Sequence, residues 1–456
     1  MKKLLALFIL ISMAVSLVGC QKPSKSFING VNLENFSIIY SDEDADYSKR
    51  AAEYIHDQIL SRTKLDLPLK EDNEAEGEYE IVVGNTNRGI SDRLDAETEG
   101  LQFAILAEES KIALEGDYFI IAAAAYYFID SYVPYDDYNA TIPTGEVMVR
   151  EPIVTEAKNY ILLIGDGMGV YQTKMFDYVV NEVEYSDGED MFYGYYLPYQ
   201  GTSRTDSLSG TTDSAAGGTA LSSGIKTING NVGRDENLND VKLITELAFE
   251  LGMSAGVMST EANTGATPAA FSAHADSRND STDIIKSQAL SRDNYGIKID
   301  CGYDSYKERY IKLIEDKVTT MLSELEKNEN GFFLMYEEAH IDKHNHNNNL
   351  GDAFNALVRF NQIIGRFMEY AFYNPDTFIL ITADHESGDL YPDEDGTLRY
   401  HHDDHTSANV PVFAYGYGAE IFDGVEVENI QIAHTIASFM GEDNFGDQSV
   451  FQRLNK

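Results

Sequence analysis

Seven of the ten histidines fall in two short windows, His340 to His346 and His385 to His405. Both windows also carry carboxylates. In EEAHIDKHNH, Asp342 and His346 stand four residues apart, which puts them on one face of a helical turn. Adjacent Asp384 and His385 offer a second oxygen–nitrogen pair, and His405 in DDHTSANVP supplies another imidazole just before an apolar run. Asp and His together suit Zn2+. Any one of these histidines alone reads as a polar loop residue; the whole set reads as a metal centre. Two zinc sites can be built. One takes Asp342, His346 and His405, and the other takes Asp166, Asp384, His385 and the hydroxyl of Ser214. A second oxygen of Asp166, with Thr267 and Glu337, makes an all-oxygen set suited to Mg2+.

Ser214 lies in TTDSAAGGTA, after an aspartate and before small residues only. Ser214 itself does not sit in a Gly-x-Ser-x-Gly elbow, and no histidine lies nearby in sequence to act as its base. A zinc ion can hold the serine as an alkoxide, so no histidine base is needed. The small residues begin an expected helix, Ser214 to Ser222, whose N-terminus would face an anion. Taken alone, DSAAGGTA is a capped helix start; beside eight other candidate ligands it reads as a nucleophile. Arg278, in ATPAAFSAHADSR and eleven residues beyond Thr267, is the candidate clamp for phosphate oxygens. It is expected on a helix running back from the same site.

Side chains so far apart in sequence must be brought together by a fold. Short apolar runs, YILLIG, SAGVMS, GFFLMY, TFILIT and VPVFAYG, alternate with helical stretches at 241–251, 306–327, 353–371 and 431–440. That rhythm predicts an α/β fold, a doubly wound, mostly parallel sheet with helices on both faces, over residues 157–456. Ligands of such sheets sit at the carboxyl ends of the strands. Asp166, Glu337 and Asp384 each close a strand, and Thr267 follows another after a loop. The acidic, Tyr-rich segment 177–199 reads as a surface insertion. Before all this stands a small α/β domain, 36–132, with strands FSIIY, YEIVVG, LQFAIL and KIALEG and an apolar helix in YFIIAAAAYYFIDSY. Its element order resembles that of accessory domains beside glycoside hydrolases, and no catalysis is expected in it. A tether at 21–35 and a linker at 133–156 complete the division.

The chain has 34 Lys+Arg against 76 Asp+Glu, a net charge of −42. Such a surface repels nucleic acid and anionic lipid, so neither is an expected partner. An anionic substrate must then meet a locally positive site. The start, Lys2-Lys3 followed by the apolar run Leu4 to Val18, reads as a signal peptide, 1–20. Leu17-Val18-Gly19-Cys20 resembles a bacterial lipobox, so the expectation is an exported protein, lipid-anchored at Cys20 to the outer face of the membrane. Of two cysteines, Cys301 is then left without a partner, and no disulfide or Cys-based zinc site is possible. Cys301 reads as a small buried residue.

Together, ILLIGDGMG, TTDSAAGGTALSSGIKTING, ATPAAFSAHADSR, EEAHIDKHNH, TADHESG and the His405-Thr406 pair resemble the alkaline phosphatase family in order and spacing, from Tyr160 to about Met440. The resemblance implies phosphomonoester hydrolysis through a phosphoserine on Ser214, and small phosphomonoesters as substrates. It also implies two Zn2+ and one Mg2+ on the ligand sets above, Arg278 as the phosphate clamp, and a possible homodimer. One position departs from the pattern. Two residues before the magnesium threonine the family has Asp or His, and here stands Gly265, which puts the third ion's occupancy in question. Lys343 matches the bacterial type. The alternatives are a phosphodiesterase, sulfatase or phosphonate hydrolase of the same superfamily, or a non-catalytic surface protein that binds glycan.

Overall fold

The computed structural model describes residues 25–41, 45–94, 98–108, 110–135, 137–179, 191–302 and 311–449. The expected signal peptide and Cys20 lie outside these residues, as do 180–190 of the expected insertion and the start of the helix expected from Tyr306. Among the described residues no helix is long and apolar enough to cross a membrane. The chain forms two compact units, one ending at Ile153 and one starting at Val154.

In the first unit, six strands form a mixed sheet, in the order Leu69–Glu71, Ser37–Tyr40, Glu80–Val83, Lys111–Glu115, Phe103–Ala107, Met148–Arg150. Helices Ala45–Thr63 and Ile121–Tyr132 pack on each other and on this sheet. The tether and linker boundaries differ from expectation. Ser26–Ile28 pairs with Val31–Asn32 and with Tyr138–Ala140, and Met148–Arg150 extends the larger sheet. Both segments therefore contribute strands to this unit, the tether and Tyr138–Ala140 in a small sheet of their own. His56 also lies between two acids, Asp57 and Asp66, at 3.0 Å from each, but both carboxylates face solvent.

The second unit is built on eight strands: β1 (Asn159–Gly165), β2 (Tyr199–Arg204), β3 (Ser254–Ser259), β4 (Lys298–Cys301), β5 (Phe332–Glu338), β6 (Thr377–Thr382), β7 (Val410–Tyr415) and β8 (Glu426–Glu428). Their order is β4-β3-β5-β1-β6-β7-β2-β8. The first five in this order are mutually parallel, and β7 alone runs against its neighbours. Strands β2, β4 and β8 are additions to the expected set. All three lack the apolar runs that mark buried strands, which is why they escape a reading by hydrophobicity.

Alternation along the strands divides the core between two faces. Tyr160, Leu162 and Ile164 of β1 join Phe333 and Met335 of β5, together with Ile244 and Leu247 from one helix and Ile432 and Ile436 from another. On the other face Tyr336 stacks on Phe360 and meets Phe367 edge-on, both from the long helix Leu350–Tyr373. The expected doubly wound α/β architecture is the one observed. Register then levels the strand ends. Ile164 pairs with Glu337 on one side and Thr382 on the other, and Ser259 pairs with Glu337. Residues just past these positions share one rim.

Candidate active site

Helix α1 (Ser214–Ser223) begins with Ser214, itself buried, and is capped by Asp213, whose Oδ1 accepts from the Ala216 N–H at 3.0 Å. The small residues after Ser214 let the helix approach closely. A Cβ on Gly217 would lie 2.9 Å from the Asp384 carbonyl oxygen, and one on Gly218 3.0 Å from Ala270 Cβ. Thus α1 sits against both the Asp384 segment and helix α2 (Ala266–Ala270), which carries Thr267. Gly167 performs a similar task in GDGMG. Its φ of +70° suits glycine, and a Cβ there would lie 2.9 Å from Asp342 Cα and Ser387 Oγ.

Asp342 lies on helix α3 (His340–Asn345), and His346 follows it directly. His405 reaches the same rim because β7 is reversed: the residues preceding an antiparallel strand lie where its parallel neighbours end. Short pairing of Glu386–Ser387 with His405–Thr406 holds it there. The Nδ1 of His405 faces the Thr212 carbonyl at 2.9 Å, and that of His346 faces the Asp403 carbonyl at 2.8 Å. A carbonyl only accepts, so each Nδ1 carries the proton and each Nε2 is bare in the neutral ring. Yet the two Nε2 atoms lie 3.1 Å apart, with Asp342 Oδ1 at 3.4 Å from one and 3.6 Å from the other. Three acceptors converge with no proton between them. A cation resolves that conflict, and outward Nδ1 contacts to carbonyls are what orient metal-binding imidazoles.

The second group repeats the logic. Ser387 donates its hydroxyl to Asp342 Oδ1 and faces His385 Nδ1 at 3.2 Å, so it accepts from the imidazole. His385 Nε2 is then bare and faces Ser214 Oγ at 3.2 Å, Asp166 Oδ1 at 3.4 Å and Asp384 Oδ2 at 3.4 Å. Both carboxylate oxygens are buried and without a hydrogen bond. One ligand atom each from Asp342, His346 and His405 lies within 4.8 Å of the others, and the same holds for Asp166, Asp342 and His385. Asp342 therefore faces both groups, which its assignment to one site did not anticipate. Thr267 Oγ1 and Glu337 Oε1 form a third pair of buried atoms lacking a well-formed hydrogen bond, while Glu337 Oε2 accepts from Ser259.

Electrostatics tell the same story. Burial, then the neighbouring Asp384 and Asp342, hold the Asp166 carboxyl well above its ordinary range. Burial and then Asp342 push Asp384 up to about 6. Burial and then Glu261 push Glu337 up to about 8. In the opposite sense, burial and then His405 push the His385 imidazole well below its usual value. A desolvated cluster in which acids resist ionising and an imidazole resists protonation lacks positive charge. The residues present fit divalent cations by donor type, by convergence and by this deficit.

Arg278 differs from expectation in its support. Helix α2 ends at Ala270, and Arg278 sits in a turn whose backbone N–H donates to Gly230 O at 2.8 Å. Its Nη1 donates to Asp213 Oδ2 at 3.1 Å, beside Ser214, and its charge is felt at both Asp166 and His385. Pro268 and the short helix prevent nothing here; the run AAFSAHA simply turns once Ala275 bridges to Val232. Cys301 is only half-buried at the end of β4, and burial raises its thiol pKa. Ser387, Asp213 and Glu261 are site residues that spacing alone did not single out. The signal for Ser387, two positions after His385 on an alternating strand, is weak in any sequence.

The alkaline phosphatase family model matches residues 157–312 and 298–397. The chain belongs to the alkaline phosphatase family. It is an enzyme, a hydrolase of that class. Alkaline phosphatase 3 of Bacillus subtilis (strain 168) is 28% identical over 326 residues, covering 60% of this chain and 70% of that protein. Alkaline phosphatase of Escherichia coli (strain K12) is 39% identical over 131 residues, 27% of this chain and 26% of that protein. Among solved structures, alkaline phosphatase from the Antarctic bacterium TAB5 superposes with a TM-score of 0.54 at 25% identity, over 63% of this chain and 99% of that one. A variant of the TAB5 enzyme with Mg bound in the M3 site gives the same TM-score, identity and coverage.

Proposed function

We propose that this phosphatase hydrolyses phosphate monoesters in two steps, through a phosphoserine on Ser214. The observation that carries the reading is the set of three imidazoles, His346, His385 and His405, whose bare Nε2 atoms are crowded by carboxylate oxygens and by one another, with the buried Ser214 hydroxyl facing that of His385. Asp342, His346 and His405 would hold one Zn2+, and Asp166, Asp384 and His385 a second. Asp166, Thr267 and Glu337 would hold Mg2+, the ion named for the TAB5 variant. When bound, such cations supply Lewis acidity, lowering the pKa of a hydroxyl or water and offsetting charge on the leaving oxygen.

The chain's own groups do the rest. Ser214 Oγ gives its proton to solvent and forms the bond to phosphorus, while the ester oxygen leaves with its electron pair and takes a proton from solvent. Water then loses a proton as it forms the second bond to phosphorus, Oγ leaves and is reprotonated, and inorganic phosphate is released. Arg278 and the N-terminal dipole of α1 bind the non-bridging oxygens through both steps. Asp213 fixes Arg278 and caps α1 at once, so the clamp and the nucleophile keep one mutual geometry. The lipobox-like Leu17 to Cys20 supports placing this activity at the outer face of a membrane, on a lipid anchor.

Turnover of p-nitrophenyl phosphate, its bis ester and its sulfate tests the substrate class, and the monoester should be favoured. Ser214→Ala should bind zinc normally yet yield no labelled phosphoprotein on acid quenching. Full turnover by that variant, or preference for the diester or sulfate, would overturn the reading.

A further inference from the structure

Gly265 leaves an apparent gap beside the third oxygen group, and its backbone does not explain its presence. At φ −57° and ψ 153° any residue fits. Space explains it. A Cβ on Gly265 would overlap Glu261 Oε2 and come within 2.7 Å of the Glu261 Cγ and Cδ. The Glu261 side chain therefore occupies the volume that a side chain at 265 would fill. The loop that presents it is well anchored: Thr260 N–H donates to Glu337 O at 3.1 Å, Glu261 N–H to Ser259 Oγ at 2.9 Å, and Gly265 N–H to Ala262 O at 2.7 Å. Glu261 Oε1 pairs with Lys343 Nζ at 2.8 Å, which leaves Oε2 turned toward position 265.

Two further observations point to a ligand here. Thr267 and Glu337 are buried, at 1% and 0% exposure, and neither Thr267 Oγ1 nor Glu337 Oε1 has a good hydrogen bond. The Ser259 hydroxyl that accepts from the Glu261 N–H at 2.9 Å donates to Glu337 Oε2, so the loop carrying Glu261 is tied to Glu337. The free donor atoms of Thr267, Glu337 and Glu261 are all oxygen, a set that suits a hard divalent cation.

We propose that Glu261 supplies, from four residues upstream, the carboxylate that position 265 lacks, and so completes an oxygen site for a hard divalent cation with Asp166, Thr267 and Glu337. This rests on the reading of the Ser214 centre as a metal-dependent phosphatase. It reverses the doubt raised by Gly265: the glycine makes room for the carboxylate instead of weakening the site.

The test uses the full chain loaded with zinc and titrated calorimetrically with Mg2+ alone, with zinc and magnesium contents measured by mass spectrometry. Glu261→Gln should weaken Mg2+ binding about 10–100-fold with zinc content unchanged. Gly265→Ala, which displaces Glu261 without removing its charge, should weaken it in the same direction. Glu261→Ala combined with Gly265→Asp, which empties that volume before refilling it, should restore it. Unchanged Mg2+ affinity in Glu261→Gln, or a wild-type chain that binds no Mg2+, would overturn the assignment. A wild-type chain that binds Mg2+ through Glu261 but takes up no zinc and turns over no monoester would instead overturn the phosphatase reading and keep the assignment.

Discussion

Arg278→Ala probes the clamp more sharply than any other single change. The guanidinium is held by its own backbone contact to Gly230 and by Asp213, so it reaches a phosphate already oriented. A fork to two phosphate oxygens makes two charge-assisted hydrogen bonds, worth about 1.5–3 kcal/mol each. Water enters the truncated site and recovers part of this, so a net loss of about 3–4 kcal/mol is reasonable, or roughly 10²–10³-fold in kcat/KM. The change has a second consequence. It leaves the Asp213 carboxylate unpaired beside an anionic substrate. The pair is partly exposed, with side chains at 33% and 19%, so this repulsion is screened and should amount to about 1 kcal/mol.

Asp213→Asn separates the two effects. Asparagine still caps α1, so the start of the helix survives. In the Arg278→Ala background, Asp213→Asn should recover roughly fivefold in kcat/KM, whereas in the wild-type background it should cost activity by loosening Arg278. The assay is kcat/KM on p-nitrophenyl phosphate together with the inhibition constant of inorganic phosphate, with zinc content as control. If Arg278→Ala kept both constants within about twofold of wild type, with Ser214 still phosphorylated, the clamp assignment would be wrong. Strictly additive behaviour of the pair would sink the argument about Asp213.

Chelation should lower the thermal midpoint of the second unit, because the carboxylates and bare imidazoles lose the charge that reconciles them; Zn2+ at 100 times its dissociation constant should return about 2.7 kcal/mol, read by calorimetry. A midpoint indifferent to chelator and zinc would contradict the metal centre. His274, paired with Glu246 and not among the candidate ligands, gives a pH test. Burial lowers its pKa, but hydrogen bonds with Glu246 and the Gly233 carbonyl outweigh this, and the net shift is upward. A pKa raised by folding stabilises fully below the unfolded value, near about 6.5, and the benefit fades as pH rises through the folded value. His274→Gln should therefore cost on the order of 1 kcal/mol more at pH 5.5 than at pH 9 in chemical denaturation, and an equal cost at both would refute the linkage.

How much of this could be read from the sequence depended on distance along the chain. Asp342 with His346, and Asp384 with His385, were legible because a helical turn or an adjacent pair fixes their separation locally. The strand-closing acids were legible because apolar runs of similar length imply level ends in a parallel sheet, and the observed register bears that out for the ends of β1, β5 and β6. His405 was found by residue type, while the reason for its position, the reversed β7, is written in hydrogen bonds between strands and not in any local pattern. Arg278 shows the cost of extending a local rule too far: α2 stops after five residues, and a turn does what a helix was expected to do. Glu261 marks the limit most clearly. Position 265 reads as a loss when only spacing to Thr267 is considered, because motif comparison scores side chains by where they attach. A cation responds to where oxygen atoms end up, and a glutamate four residues earlier can fill the volume of a missing aspartate only if the attachment point in its way has no Cβ. On this argument Gly265 and Glu261 are one feature, and reintroducing a side chain at 265 should be tolerated only when Glu261 gives up its place.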